Sequence, residues 1–152
     1  MWRLAKPEDD RELIAMCLEL YREDPSPVPV SKLNISQTLI RFREEPLRGR
    51  AVVLDMNGVI AGYALLASFW SNELFGEICF IDELYVKPNH RGNGFSQMLI
   101  SELPNERELW PVRPVAIDLE VTPQNEKARA LYAKLGFAPT KNAHMRLPLV
   151  SK

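Results

Sequence analysis

The sequence is poor in the features that announce a destination or a large charged partner. It has only 2 cysteines in 152 residues, Cys17 and Cys79. They lie far apart, each among apolar neighbours. That excludes a disulfide framework and a cysteine zinc site, and reads as two reduced core thiols. No metal is expected. Charge of one sign is also lacking, because 19 Lys+Arg against 20 Asp+Glu leave a formal net charge of −1. Such a chain has no electrostatic footprint for bulk nucleic acid or an anionic membrane. No apolar run approaches the ~20 residues of a membrane span. The start, Met1 to Pro7, lacks the long apolar stretch of a signal peptide. A cytoplasmic location is therefore expected.

What is there describes a folded domain. The chain is 46% hydrophobic and 26% charged, too apolar for a disordered polymer. Its length suits one domain over residues 1–152 with a real core. Proline is mildly enriched, with 12 residues, or about 8% against a usual ~5%.

Periodicity gives the element order. Trp2 to Ala5 reads as a short strand. Pro7 followed by Glu8, Asp9 and Asp10 opens a helix, with acids at the positive end of its dipole. Leu13, Ile14, Cys17, Leu18 and Tyr21 carry that helix to about Arg22. Pro25, Pro27 and Pro29 make a stiff extended connector. Ser31 is a candidate cap for a second helix ending near Glu45-Pro46. Ala51 to Asp55 and Val59 to Trp70 are strands around an Asn57-Gly58 hairpin. Glu77 to Val86 is a third central strand. Phe95, Met98, Leu99 and Leu103 mark a helix that Pro104 ends. Val115 to Val121 is a strand, and Thr122 can cap a helix from Pro123 to about Leu135, stopped by Gly136. Phe137-Ala138 and His144 to Val150 are expected as short closing strands. The order βααβββαβαββ specifies a mixed α/β (α+β) domain with one central sheet.

The most informative stretch is Val86-Lys87-Pro88-Asn89-His90-Arg91-Gly92-Asn93-Gly94-Phe95-Ser96. It is a strand end, a glycine-containing loop and a helix start. Glycines allow the backbone to turn and to approach a ligand closely. Unsatisfied N–H groups at the helix start, beside Arg91, suit a phosphate or pyrophosphate. A turn that merely uses glycine is the other reading of the spacing. The loop is not a P-loop, since Gly-Lys-Ser/Thr is missing. Nor is it a dinucleotide fingerprint, whose third glycine would fall at Gln97.

Here the sequence resembles the GNAT superfamily of N-acetyltransferases, which use acetyl-coenzyme A (acetyl-CoA). Arg91-Gly92-Asn93-Gly94-Phe95-Ser96 matches the acyl-carrier motif Gln/Arg-x-x-Gly-x-Gly/Ala, with small Ser96 at the last position. Leu119-Glu120-Val121, Asn125, Ala128, Leu131-Tyr132 and Gly136-Phe137 resemble the superfamily's second motif. The element order matches over essentially the whole chain. The resemblance implies an N-acetyltransferase acting by direct transfer in a ternary complex. In it, Leu84, Tyr85 and Val86 offer backbone groups to the pantetheine arm. The N–H groups from Arg91, Gly92, Asn93, Gly94, Phe95 and Ser96 hold the pyrophosphate, and Asn125 adds a polar contact. Leu84 and Val86 also read as core, and Asn125 as support for a helix start.

Transfer to an amine needs one proton taken from the ammonium and one given to the thiolate. Tyr132 matches the family tyrosine near the coenzyme sulfur and is the candidate acid; it also reads as a partly buried helix residue. Glu83, on the strand leading to the loop, is favoured over Asp82 as base. Alternation puts the two acids on opposite faces, and a bulge there would disturb that parity. His90 reads as a surface residue. Glu73, Glu77, Asp82 and Glu83 form an acidic run that would favour a cationic acceptor, or would simply be solvated. The acceptor is an amine, small or protein-borne, and a homodimer is left open by the family. A non-catalytic acyl-CoA sensor on the same fold is the alternative function.

Overall fold

The structure, a computed structural model, describes residues 1–149. It divides into two compact units, Met1–Glu120 and Val121–Lys152. The first contains β1 (Trp2–Leu4), a 3-10 turn (Pro7–Asp9), α1 (Asp10–Glu23), α2 (Lys32–Glu44), β2 (Gly49–Met56) and β3 (Val59–Ser71). It continues with β4 (Gly76–Val86), a second 3-10 turn (Pro88–His90), α3 (Phe95–Glu102) and β5 (Ala116–Leu119). The five strands form one sheet in the order β1-β2-β3-β4-β5. All pairs are antiparallel except β4 and β5, which are parallel.

Local chemistry accounts for the boundaries. Ser31 caps α2, its side chain accepting from the Asn34 N–H at 3.2 Å while Asn34 Oδ1 accepts from the Ser31 N–H at 3.0 Å. Two orphan donors are satisfied by that exchange. Asn57 and Gly58 both have positive φ, 57° and 87°, as a two-residue hairpin turn requires. Asp55 Oδ1 accepts from the Gly58 N–H at 2.7 Å and fixes the turn.

The sheet is covered on both faces, so the central strands are apolar on both sides. One face carries Val52, Leu54, Ala64, Leu66, Cys79 and Ile81 against Leu99, Leu103 and Trp110. The other carries Val53, Tyr63 and Leu65 against Leu13, Met16 and Cys17 of α1 and Ile35 and Leu39 of α2. Each fully buried aliphatic side chain contributes about 1.5–3 kcal/mol. Arg3 ties the β1 edge to both neighbours, with Nη1 2.7 Å from Asp9 Oδ2 and Nε 2.8 Å from Asp55 Oδ2.

The β3–β4 ladder contains an irregularity. Leu65 pairs with Glu83 but Leu66 pairs with Ile81, so Asp82 is an extra, exposed residue. The bulge reverses parity along β4. Before it, Cys79 and Ile81 face the α3 core; after it, Leu84 and Val86 do. Tyr85 therefore joins the core beneath α1 and α2.

The second unit holds α4 (Glu126–Lys134). This helix begins later than Pro123, and its cap is Asn125 rather than Thr122. Thr122 instead closes a turn through its carbonyl, which accepts from the Asn125 N–H at 3.0 Å with Pro123 at the second position. Asn125 Oδ1 accepts from the Ala128 N–H at 3.1 Å. The helix stops at Gly136, whose φ is 93°. The expected closing strands differ from what is observed. Among the described residues, 137 to 149 contain no strand. Pro139 cuts the first run short at two residues, and Pro148 removes a ladder donor from the second. Val150 lies outside the described residues.

Candidate active site

Three features converge where β4 ends. The first is a parted strand. The β4–β5 pairing runs from Ile78↔Ala116 to Ile81↔Leu119 and goes no further, while β4 continues to Val86. Leu84, Tyr85 and Val86 are thus paired with β3 on one side and have left β5 on the other. Leu84 and Val86 direct side chains into the α3 core while their backbone lies along this gap.

The second is the loop from Lys87 to Gly94. Gly92 and Gly94 have φ of 80° and 78°, and nothing lies within 4 Å of where a Cβ would sit on either. Asn93 Nδ2 donates to the carbonyls of His90 (3.0 Å) and Arg91 (3.3 Å), folding the loop on itself. The Arg91 N–H is used, donating to the Pro88 carbonyl at 3.3 Å. Among the described residues, the N–H groups of Gly92, Asn93, Gly94, Phe95 and Ser96 have no acceptor. The first helical bond of α3 is made by the Met98 N–H to the Gly94 carbonyl at 2.9 Å. Trp2 Nε1 donates to the Phe95 carbonyl at 2.8 Å, fastening the start of α3 to β1. A run of free N–H donors, with open space where a Cβ would sit on two glycines, is chemistry suited to an anionic group. The Arg91 N–H is thus engaged within the loop, and the donors left open run from Gly92 to Ser96.

The third is a carboxylate on the α1 side. Because of the bulge, Glu83 faces α1. The Tyr21 hydroxyl donates to Glu83 Oε1, and the Tyr63 hydroxyl donates to Glu83 Oε2 at 2.7 Å. Burial, reinforced by the Glu83 charge, raises the pKa of both phenols, so they remain donors. Each carboxylate oxygen keeps a lone pair for a further donor. Tyr63 contacts Tyr85, ring centroids 6.1 Å apart, and the Arg91 guanidinium stands 5.2 Å from the Tyr85 centroid.

Neither tyrosine partner of Glu83 was legible from motifs, since one sits on α1 and the other on β3. The cations near the loop are paired with acids of α1. Lys87 pairs with Glu12, and Arg91 pairs with both oxygens of Glu23 at 2.9 Å. Arg91 Nε also donates to the Val86 carbonyl at 2.7 Å. Glu12 and Glu23 stand about three turns apart on one face of α1, and that spacing was the available signal. The acidic run is not one cluster. Glu77 stands near the start of β4, about 20 Å along the strand from Glu83 at ~3.4 Å per residue. His90 Nδ1 lies 2.9 Å from Asn89 Oδ1, within the loop.

In the second unit, Tyr132 lies on α4 with its ring edge-on to Phe137, centroids 5.6 Å apart at 62°. Burial raises its pKa. Asn125, the helix cap, has its side-chain oxygen engaged by Ala128.

A parted strand followed by a glycine loop and a helix is the pattern a family match can decide. The model of the Acetyltransferase (GNAT) family matches residues 14–137. The chain belongs to this family. GNAT enzymes transfer acetyl groups and use acetyl-CoA, so acetyl transfer is the class of chemistry in which these residues stand. Solved structures agree in fold. A Clostridium difficile 630 protein described as a "possible acetyltransferase" aligns with TM-score 0.83 and 17% identity, covering 99% of this chain and 98% of that one. A Clostridium acetobutylicum protein solved with acetyl-CoA aligns with TM-score 0.75 and 21% identity, covering 98% and 96%. The ribosomal-protein-alanine N-acetyltransferase of Brucella melitensis biovar Abortus 2308 aligns with TM-score 0.72 and 19% identity, covering 98% and 99%. The comparison with curated proteins gives no match. Among the described residues of this GNAT chain, no helix is long and apolar enough to cross a membrane. No group of three or more His, Cys, Asp or Glu there could hold a metal.

Proposed function

We propose that this chain is an N-acetyltransferase that moves the acetyl group of acetyl-CoA directly to a primary amine. The observation that carries the reading is the gap between β4 and β5 leading into a loop of free N–H groups. The backbone of Leu84, Tyr85 and Val86 lines the pantetheine arm. The donors from Gly92 to Ser96 receive the pyrophosphate, and Asn125 contributes a polar side chain.

Acetyl-CoA supplies an activated thioester carbonyl, to which the neutral amine nitrogen bonds as the carbon–sulfur bond breaks. Glu83 takes the proton from the incoming ammonium, directly or through one water, with Tyr21 and Tyr63 holding its carboxylate in place. Tyr132 gives its hydroxyl proton to the departing thiolate. Its half-buried phenol is protonated at neutral pH, as a general acid must be.

Calorimetric titration with acetyl-CoA, followed by thiol release across an amine panel, tests the reading. Binding with turnover supports it; no binding at millimolar acetyl-CoA overturns it. Binding without release on any amine would instead make the chain an acyl-CoA sensor. Tyr132→Phe should lower kcat at least 10-fold with little change in acetyl-CoA affinity, and the reverse pattern would remove Tyr132 as the acid.

A further inference from the structure

The end of the β3–β4 hairpin projects from the sheet. β2 pairs with β3 no further than Gly49↔Ala67, and β5 begins to pair with β4 only at Ile78↔Ala116. From Phe69 to Glu77 the two strands therefore pair with each other alone, save for one bond from the Val115 N–H to the Glu77 carbonyl at 2.8 Å. A two-stranded arm in water is marginal unless it buries an apolar face. This arm has the apolar residues and leaves them bare.

Phe69, Trp70 and Phe75 are 62%, 63% and 82% exposed, and Leu74 and Val115 are about half exposed. Trp70 and Phe75 meet edge to face, centroids 6.3 Å apart at 73°. Alternation puts Phe69 on the opposite side of β3, so both sides of the arm are apolar. Val115 occupies the space where a Cβ would stand on Gly76, and it extends this surface to the base of the arm. Phe75 has a φ of 51°, a left-handed conformation that a bulky residue adopts only under strain. Backbone strain thus presents an aromatic ring to solvent.

Area and charge say what covers it. An aromatic side chain carries about 150–250 Å², so the exposed parts of the three rings alone amount to roughly 300–500 Å². An ordinary interface takes ~800 Å² from each partner, of which about 65% is apolar in a homodimer. With Leu74 and Val115 the arm supplies about that much. The rim carries one charge of each sign. Glu73 stands at the tip of the turn and Arg113 two residues before Val115, both exposed, and neither has an ion-pair partner among the described residues. A twofold contact brings each residue of one copy to its complement on the other, so a rim of one acid and one base complements itself. A projecting arm gives a small molecule no enclosure.

We infer that this arm is the interface of a twofold homodimer. The Trp70–Phe75 pair of each copy packs on that of the other, and Glu73 of each meets the partner copy's Arg113. The arm lies about 20 Å or more along β4 from Glu83, so the pairing leaves both proposed transfer sites open and stands whether or not acetyl transfer does.

Light scattering on a sizing column tests the inference. At tens of micromolar, at or above the ~μM Kd of the weaker interfaces of this size, the mass should be twice the 17.4 kDa of one chain. Trp70→Glu should give a monomer. Phe75→Gly, which relieves the strained φ, should raise the dimer Kd at least 10-fold with an unchanged circular dichroism spectrum. Glu73→Arg and Arg113→Glu should each weaken the dimer severalfold, and the two together should restore it. A wild-type mass of one chain, or a dimer indifferent to Trp70→Glu and Phe75→Gly, overturns the inference. A double reversal no tighter than the single ones overturns the twofold docking.

Discussion

Replacing Gly94 with alanine should weaken acetyl-CoA binding far more than it weakens the fold, and Gly58 supplies the control. Both glycines have positive φ, 78° and 87°, and neither has any atom within 4 Å of a built Cβ. The cost to the fold is therefore backbone strain alone. An L residue in the left-handed region costs about 1–2 kcal/mol, partly offset by roughly 0.4–1 kcal/mol from a less flexible unfolded chain. A net loss of about 1 kcal/mol, or roughly 2–4 °C in Tm, is expected for Gly58→Ala and Gly94→Ala alike. Their effects on ligand should differ. A methyl at Gly94 stands in the open space above the free N–H groups, whereas one at Gly58 stands in a hairpin turn. Losing one hydrogen bond to a charged phosphate costs about 1.5–3 kcal/mol, which is roughly 10- to 100-fold in Kd. Melting curves and calorimetric titration of wild type and both variants separate the two effects. An acetyl-CoA Kd for Gly94→Ala within twofold of wild type would refute the assignment of this loop. An equal weakening by Gly58→Ala would show that strain, not the ligand site, had been measured.

Other consequences are equally direct. Asp9 and Asp55 are each held below the usual carboxylate range by Arg3, so their stabilisation is full above about pH 4 and is lost as pH falls through the depressed folded values. Melting temperature should therefore drop on acidification below pH 4, and Arg3→Met should flatten that drop while costing about 2 kcal/mol at pH 7 by denaturant titration. Leu99, fully buried on the inner face of α3, should cost about 3 kcal/mol as Leu99→Ala, read from the urea midpoint at unchanged slope. Burial pushes the Cys17 and Cys79 thiols up to about 12. Neither should react with a disulfide reagent until the chain is unfolded, and fast labelling of the native protein would contradict the packing. Trp2→Phe should cost about 1 kcal/mol, because the Phe95 carbonyl loses its indole donor, and should raise the acetyl-CoA Kd severalfold by loosening the start of α3.

The parts of this fold that local chemistry dictates were legible in the sequence. Ser31 caps α2, Asn57-Gly58 turns the hairpin, and Gly92 and Gly94 take the left-handed conformations their loop requires. The two Leu-rich helix faces found their cores. What failed had long-range causes. Asp82 enters a bulge only because β3 offers one residue fewer, and no local signal marks it. The partners of Glu83 come from α1 and β3, at separations that only the sheet brings together. Arg91 read as a cation beside the loop, yet it answers Glu23 on α1, as Lys87 answers Glu12. The start of α4 was misplaced by the competition between two possible caps, which Asn125 wins once Pro123 commits the preceding residues to a turn.

The bulge at Asp82 also sets which kinds of sequence change this strand accepts. Substitution at an exposed, extra residue disturbs little. Deletion would carry Leu84 and Val86 out of one core, and Tyr85 and Glu83 away from the helix they face. β4 is therefore tolerant to exchange and intolerant to a single-residue change of length. An alignment or graft that slips by one position between Ile81 and Val86 would assign the proposed base to the wrong side of the sheet while keeping every residue name correct.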